Sequence, residues 1–171
     1  MKKVILVNGI IAGLIVSTLM VTLTMYYKST GSFENGMLYG YASMLLAFVF
    51  VFLGVKTFRD KYNGGLISFG KAFQVGILIA LIASTFYVVS WMIEYFYFFP
   101  DFAEKYAAAE LAKAKAAGAT DAELARQSAE MADFSKLYKQ PLFTALMTYA
   151  EILPVGLVVS LLSAGLLKKR G

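Results

Sequence analysis

Three observations predict an all-α membrane fold: four transmembrane helices, with a periplasmic helical hairpin between spans three and four. First, the chain carries four long apolar segments, at about 4–27, 37–55, 71–93 and 142–167. Second, hydrophobic residues make up 59% of its 171 residues and charged ones only 16%, where a soluble globular domain carries ~25% charged. Third, basic and acidic residues sort onto opposite ends of those segments. Lipid offers a bare backbone no hydrogen-bond partners, so such spans fold as helices. Their lengths match the ~20 residues that cross ~30 Å of hydrocarbon at 1.5 Å per residue. A chain of this length forms one membrane domain, 1–171.

Span one runs from Val4 to Tyr27 behind Met1-Lys2-Lys3. A secretory signal has an apolar core of roughly 7–15 residues and a small-residue cleavage site. Here the apolar run is 24 residues and exits through Met25-Tyr26-Tyr27-Lys28. It is expected to stay as a transmembrane helix. Span two covers Met37 to Val55. Gly9-x-x-x-Gly13 in span one and Gly36-x-x-x-Gly40 at the head of span two let backbones approach closely. They suit internal packing or dimerisation equally. Span three covers Lys71 to Ile93, after an Asn63-Gly64-Gly65 turn and a capping Ser68. Gly70-Lys71 lacks the spacing and strand context of a phosphate loop.

The polar insert from Pro100 to Pro141 reads as two short helices. Asp101 and Glu104 resemble a capping box, the Ala-rich run propagates to Ala117, and Gly118 ends it. Thr120 and Glu123 start a second helix in the same way. Apolar side chains are sparse there (Phe102, Tyr106, Leu111, Leu124, Met131, Phe134, Leu137). Such a hairpin buries little alone, so it is expected to pack on the membrane domain or on a partner. Span four covers Leu142 to Leu167, with a kink expected at Pro154.

Charge sets the orientation. One side holds Lys2, Lys3, Lys56, Arg59, Lys61, Lys71, Lys168, Lys169 and Arg170 against a single acid, Asp60. The other balances seven basic residues against nine acids, Glu34 among them. Both termini are therefore expected in the cytoplasm. The basic side faces anionic headgroups and is not a nucleic-acid footprint. Tyr26, Tyr27, Phe33, Tyr39, Trp91 and the run Tyr95-Phe96-Tyr97-Phe98-Phe99 form the outer aromatic belt.

Spans one and three align at an offset of 67. Gly9-Ile10 matches Gly76-Ile77, Leu14-Ile15-x-Ser17-Thr18 matches Leu81-Ile82-x-Ser84-Thr85, Val21 matches Val88, and Met25 matches Met92. Either two helical hairpins share an origin and a pseudo-two-fold axis along the membrane normal, or apolar strings coincide.

Glu151 is the one charge inside a span, roughly 14 Å below the outer edge by the helical rise. Ser17, Thr18, Ser43, Ser84 and Thr85 lie at or a little above its level, and Pro154 frees the Ala150 carbonyl. These residues form the candidate intramembrane site. Glu151 would serve either as a neutral acid gluing helices through hydroxyls or as part of a cavity for a proton, cation or headgroup. Glu94, at the outer end of span three, is expected to snorkel to water. On the cytoplasmic side, Arg59, Asp60, Lys61 and Lys71 are candidates for partner docking or lipid contact.

The strings Arg59-Asp60-Lys61, Gly64-Gly65, Ile67-Ser68-Phe69-Gly70-Lys71-Ala72-Phe73 and Glu151-Ile152-Leu153-Pro154-Val155-Gly156 resemble the bacterial membrane family called domain of unknown function 4199. The resemblance covers nearly the whole chain. It implies a Bacteroidota inner-membrane protein with its hairpin in the periplasm, and it brings no activity or catalytic residues.

The chain has no Cys and no His. That removes disulfides, thiol chemistry, the commonest general base and the commonest metal ligand. No catalytic residue, metal site or cofactor is expected, and an enzyme is the least favoured class. The leading expectation is a non-catalytic accessory or assembly subunit, with the bilayer and a membrane protein or second copy as partners. The alternative is a small transporter or lipid-handling protein that uses Glu151.

Overall fold

The computed structural model describes residues 1–31 and 35–169. Phe33 of the aromatic belt and the charges on Glu34 and Arg170 lie outside the described residues. Helix α1 spans Lys2–Thr30 and ends where Gly31 turns left-handed (φ 67°), its N–H bonded to the Tyr27 carbonyl at 2.8 Å. Helix α2 spans Gly36–Tyr62, two turns past the apolar run, because the basic stretch after Val55 continues the helix out of the hydrocarbon. Ser68 caps α3, which spans Phe69–Ile93 and then widens into a π turn, Glu94–Phe98.

Helices α4 (Phe102–Ala116) and α5 (Asp121–Tyr138) make the hairpin, and α6 spans Pro141–Leu167. Thr120 and Glu123 form the expected capping box. Asp101 does not cap α4; its carboxylate pairs with Lys105 at 2.8 Å instead. The exposed Lys105 ammonium therefore takes the acid away from the α4 amides and holds the Asp101 carboxyl below the usual carboxylate range. Helix α6 starts with Pro141, whose missing N–H costs nothing in a first turn, and runs on through Pro154.

The four long helices are apolar enough to cross a membrane. Helix α3 sits centrally, with α1 and α6 as its main neighbours; α2 packs on α1, α3 and α6. Small residues set these contacts. Cβ atoms added at Gly9 and Gly13 would stand 2.8 Å from Ile82 and 2.7 Å from Phe86, so α1 and α3 approach backbone to side chain. Gly76 faces Ser160 and Val51, and Gly156 faces Ala80 and Phe48. The first glycine pair thus serves internal packing, while Gly40 of the second faces open space. Equivalent positions of α1 and α3 share burial: Ser17 and Ser84 are inside, Thr18 and Thr85 outside. The symmetry is nonetheless incomplete, because α2 packs on α3 while α6 makes at most marginal contact with α1.

The two ends are fastened differently. At the basic end, Ile67 and Lys169 exchange two backbone hydrogen bonds of 2.9 Å, pinning the α2–α3 loop to the tail of α6. At the hairpin end the fastening is aromatic. Trp91 meets Phe102 edge-on at 4.9 Å, and Tyr138 meets Tyr95 at 5.1 Å and Phe134 at 5.3 Å. Beyond these bases α4 and α5 have no buried residue.

Candidate functional site

The helical phase of α6 decides where Glu151 points. Thr144, Thr148, Ile152, Gly156 and Ser160 form its buried stripe at four-residue spacing. Small and hydroxyl-bearing residues mark a packed face in a membrane, because they admit a neighbouring backbone. Glu151 lies off that stripe and is exposed, with Met147, Pro154 and Val158 on the same outward side. The expected hydroxyl collar around it is therefore not assembled. Ser17 and Ser84 are buried elsewhere, each with an Oγ lacking any hydrogen-bond partner among the described residues. Ser43 donates to the Gly40 carbonyl of its own helix at 2.7 Å. Thr18 faces outward. Thr85 accepts a hydrogen bond of 3.0 Å from the Tyr149 hydroxyl, joining α3 to α6 two residues before Glu151.

Different groups stand near Glu151. Tyr87 of α3, 8% exposed, lies within electrostatic reach of Glu151, Glu94, Tyr138 and Tyr41. Tyr138 in turn feels Glu151, accepts a 2.8 Å hydrogen bond from the Trp91 indole and stands beside the Thr148 hydroxyl. Burial pushes the Tyr138 hydroxyl above the ordinary phenol range. The Thr144 hydroxyl donates to the Tyr138 carbonyl, closing the α5–α6 corner. Tyr87 is thus a residue that sequence reasoning missed: a buried phenol within electrostatic reach of both acids.

Glu94 reverses its expected role. It is 7% exposed, and neither carboxyl oxygen has a hydrogen-bond partner among the described residues. It does not snorkel, because it follows Ala80 and Tyr87 at seven-residue steps and so stays on the packed face of α3. That spacing is the signal that could have placed it. The neighbouring Tyr95 hydroxyl is also buried without a hydrogen-bond partner among the described residues, beside an open hollow of about 440 Å³ lined by Phe96, Pro100, Asp101, Glu104 and Lys139.

The basic loop is a clasp. Arg59 pairs with Asp60 at 2.6 Å and also donates to the Leu167 carbonyl at 3.3 Å, placing a cation at the C-terminus of α6 where the helix dipole favours it. Lys61 is exposed, and Lys71 donates to Gln74 at 3.2 Å. Among the described residues no group of three or more potential metal ligands comes together.

Four apolar helices around a small-residue core, with two acids in the hairpin-side half, define a multi-pass helical membrane protein. The profile of the family described as protein of unknown function (DUF4199) matches residues 8–169, so the chain belongs to that family. No curated protein and no solved structure matches it.

Proposed function

We propose that the protein is a non-catalytic accessory or assembly subunit of a bacterial inner-membrane complex, with both termini cytoplasmic and α6 as its docking face. One observation carries this reading: Glu151 is exposed on the outward side of α6 and makes no hydrogen bond to a described residue. An acid in mid-membrane costs about 2.5–3.5 kcal/mol on insertion scales, and such residues turn inward or find partners. Glu151 does not turn inward in this chain, which supports a partner helix that brings a basic, hydroxyl or amide donor to it. The spans themselves hold no Lys or Arg near that depth, so a second copy would bring a hydroxyl but no cation, and a partner with a basic residue there is a different protein.

The test is purification from the source membrane in mild detergent, for the wild type and Glu151→Leu. A stoichiometric protein that co-elutes with the wild type and is lost from a folded Glu151→Leu supports the proposal. A partner that survives the substitution overturns α6 as the docking face. The second reading, a small transporter or lipid-handling protein, draws on Tyr87 beside Glu151. Recovery of the chain alone with a defined lipid or small molecule, lost in Glu151→Gln, would favour it.

A further inference from the structure

Among the described residues Glu94 is the one charged residue that is buried. It opens the π turn, where backbone bonding steps out by one residue and the Phe99 N–H reaches back to the Glu94 carbonyl at 2.7 Å. π turns are rare and collect at functional positions. The Thr24 hydroxyl of α1 faces the Glu94 carboxyl without a hydrogen bond to it, and it donates to the Met20 carbonyl at 3.0 Å. A hydroxyl has one hydrogen and two lone pairs. Thr24 therefore presents lone pairs, not a proton, to Glu94. The two carboxyl oxygens meet no donor among the described residues either. A buried carboxylate with no donor and no counter-charge is among the most costly arrangements a fold can hold.

What satisfies two carboxyl oxygens and an accepting hydroxyl is one positive charge. We propose that Glu94 and Thr24 form a binding site for a single positive charge, a proton or an alkali cation, in the hairpin-side half of the membrane domain. A proton makes Glu94 the donor to Thr24. An alkali cation takes the same three oxygens as hard ligands. Lys28 of α1 does not serve as the counter-charge: its ammonium donates to the Phe98 carbonyl at 2.9 Å and reaches neither Glu94 oxygen. The remaining titratable neighbours are Tyr87 on α3, with Glu151 of α6, Tyr41 of α2 and Tyr138 of α5 around it, and Tyr95 in the π turn itself. None of these supplies a positive charge. The site is independent of the α6 docking face and stands whether or not a partner is found.

The test uses the full chain in nanodiscs of neutral lipid. Trp91, the single tryptophan, lies three residues before Glu94 and reports thermal unfolding by fluorescence. Anything that binds the folded state raises the midpoint with its concentration. Protons are varied in choline chloride, then sodium and potassium chloride are varied at fixed pH. A midpoint that climbs with alkali salt at fixed pH identifies the cation; one that climbs with acidity alone identifies the proton. Glu94→Gln abolishes the response, and Thr24→Val needs about tenfold more ligand for the same midpoint. If Glu94→Gln fails to fold, Thr24→Val carries the test. A wild type indifferent to both, a Glu94→Gln protein that keeps the wild-type response, or an unchanged ligand requirement in Thr24→Val overturns the proposal.

Discussion

Replacing Tyr138 with phenylalanine removes one oxygen from the joint between hairpin and bundle and should measurably loosen it. The Trp91 indole donates to that oxygen at 2.8 Å, and Trp91 is 8% exposed, so water does not readily replace it. A neutral hydrogen bond nets about 0.5–1.5 kcal/mol, and a donor left unpaired costs about 1–3 kcal/mol. Measured couplings between helices of a membrane protein average about 0.6 and reach about 1.7 kcal/mol. The ring contacts with Tyr95 and Phe134, at 5.1 and 5.3 Å, survive in phenylalanine. The expected loss is therefore about 1–1.5 kcal/mol, nearly all from the hydrogen bond. Sodium dodecyl sulfate titration in mixed micelles, followed by circular dichroism, measures it. A double-mutant cycle with Trp91→Phe isolates the pair and should return a coupling of about 1 kcal/mol. Equal cost of Tyr138→Phe in the wild-type and Trp91→Phe backgrounds would refute the assignment of that joint to this bond.

Two further outcomes follow from packing and capping. A Cβ at Gly156 would stand 2.9 Å from the Ala80 Cβ, whereas nothing lies within 4 Å of Gly165 on the same helix. Gly156→Ala should cost about 1–3 kcal/mol more than Gly165→Ala in the same titration, since both gain the same helix propensity; equal costs would remove the α3–α6 contact as a constraint. The Thr120 amide and hydroxyl each donate to Glu123 at 2.8 Å and hold its carboxyl below the ordinary glutamate range. A lowered folded value means that the cap's contribution is complete above that ordinary range and is lost as pH falls through the folded value. Protection factors at the first amides of α5, taken relative to intrinsic exchange at each pH, should fall over that acid window, and Glu123→Gln should flatten the dependence.

The spans, the hairpin and the Thr120 cap were legible in the sequence because composition, turn residues and capping chemistry are local. Helical phase was not. These helices are apolar almost all round, so a polar face cannot reveal which side is buried. Depth along the chain then stood in for direction, and depth placed Glu151 inside and Glu94 at the interface. The structure reverses both. The usable signal was the spacing of small and hydroxyl residues: the Thr144-Thr148-Ile152-Gly156-Ser160 stripe excludes Glu151, and the Ala80–Tyr87–Glu94 steps include Glu94. The role of Arg59 was hidden for another reason. Its partner, the Leu167 carbonyl, lies 108 residues away, and only the folded loop brings them together.

The two ends of the bundle differ in what holds them, and that difference limits where the protein can respond to a ligand. At the basic end glycine contacts bring helices to within a side chain of each other, and the Ile67–Lys169 bridge closes the loop on the tail. Displacing those helices would break close packing that has no alternative arrangement. At the hairpin end the joints are aromatic edges, one indole–phenol hydrogen bond and a π turn, and the Glu94 carboxyl and Tyr95 hydroxyl have no hydrogen-bond partner among the described residues. Segments with few buried contacts open first and supply the moving parts of proteins. Charge binding at Glu94 and a partner over Glu151 would both act on this looser half, with Tyr87 within electrostatic reach of both acids. A charge change at either acid therefore acts on Tyr87, while the clasped basic end stays fixed. Hydrogen exchange would read this as altered protection at Trp91 to Phe102 and at the start of α6, with none at Ile67 or Lys169.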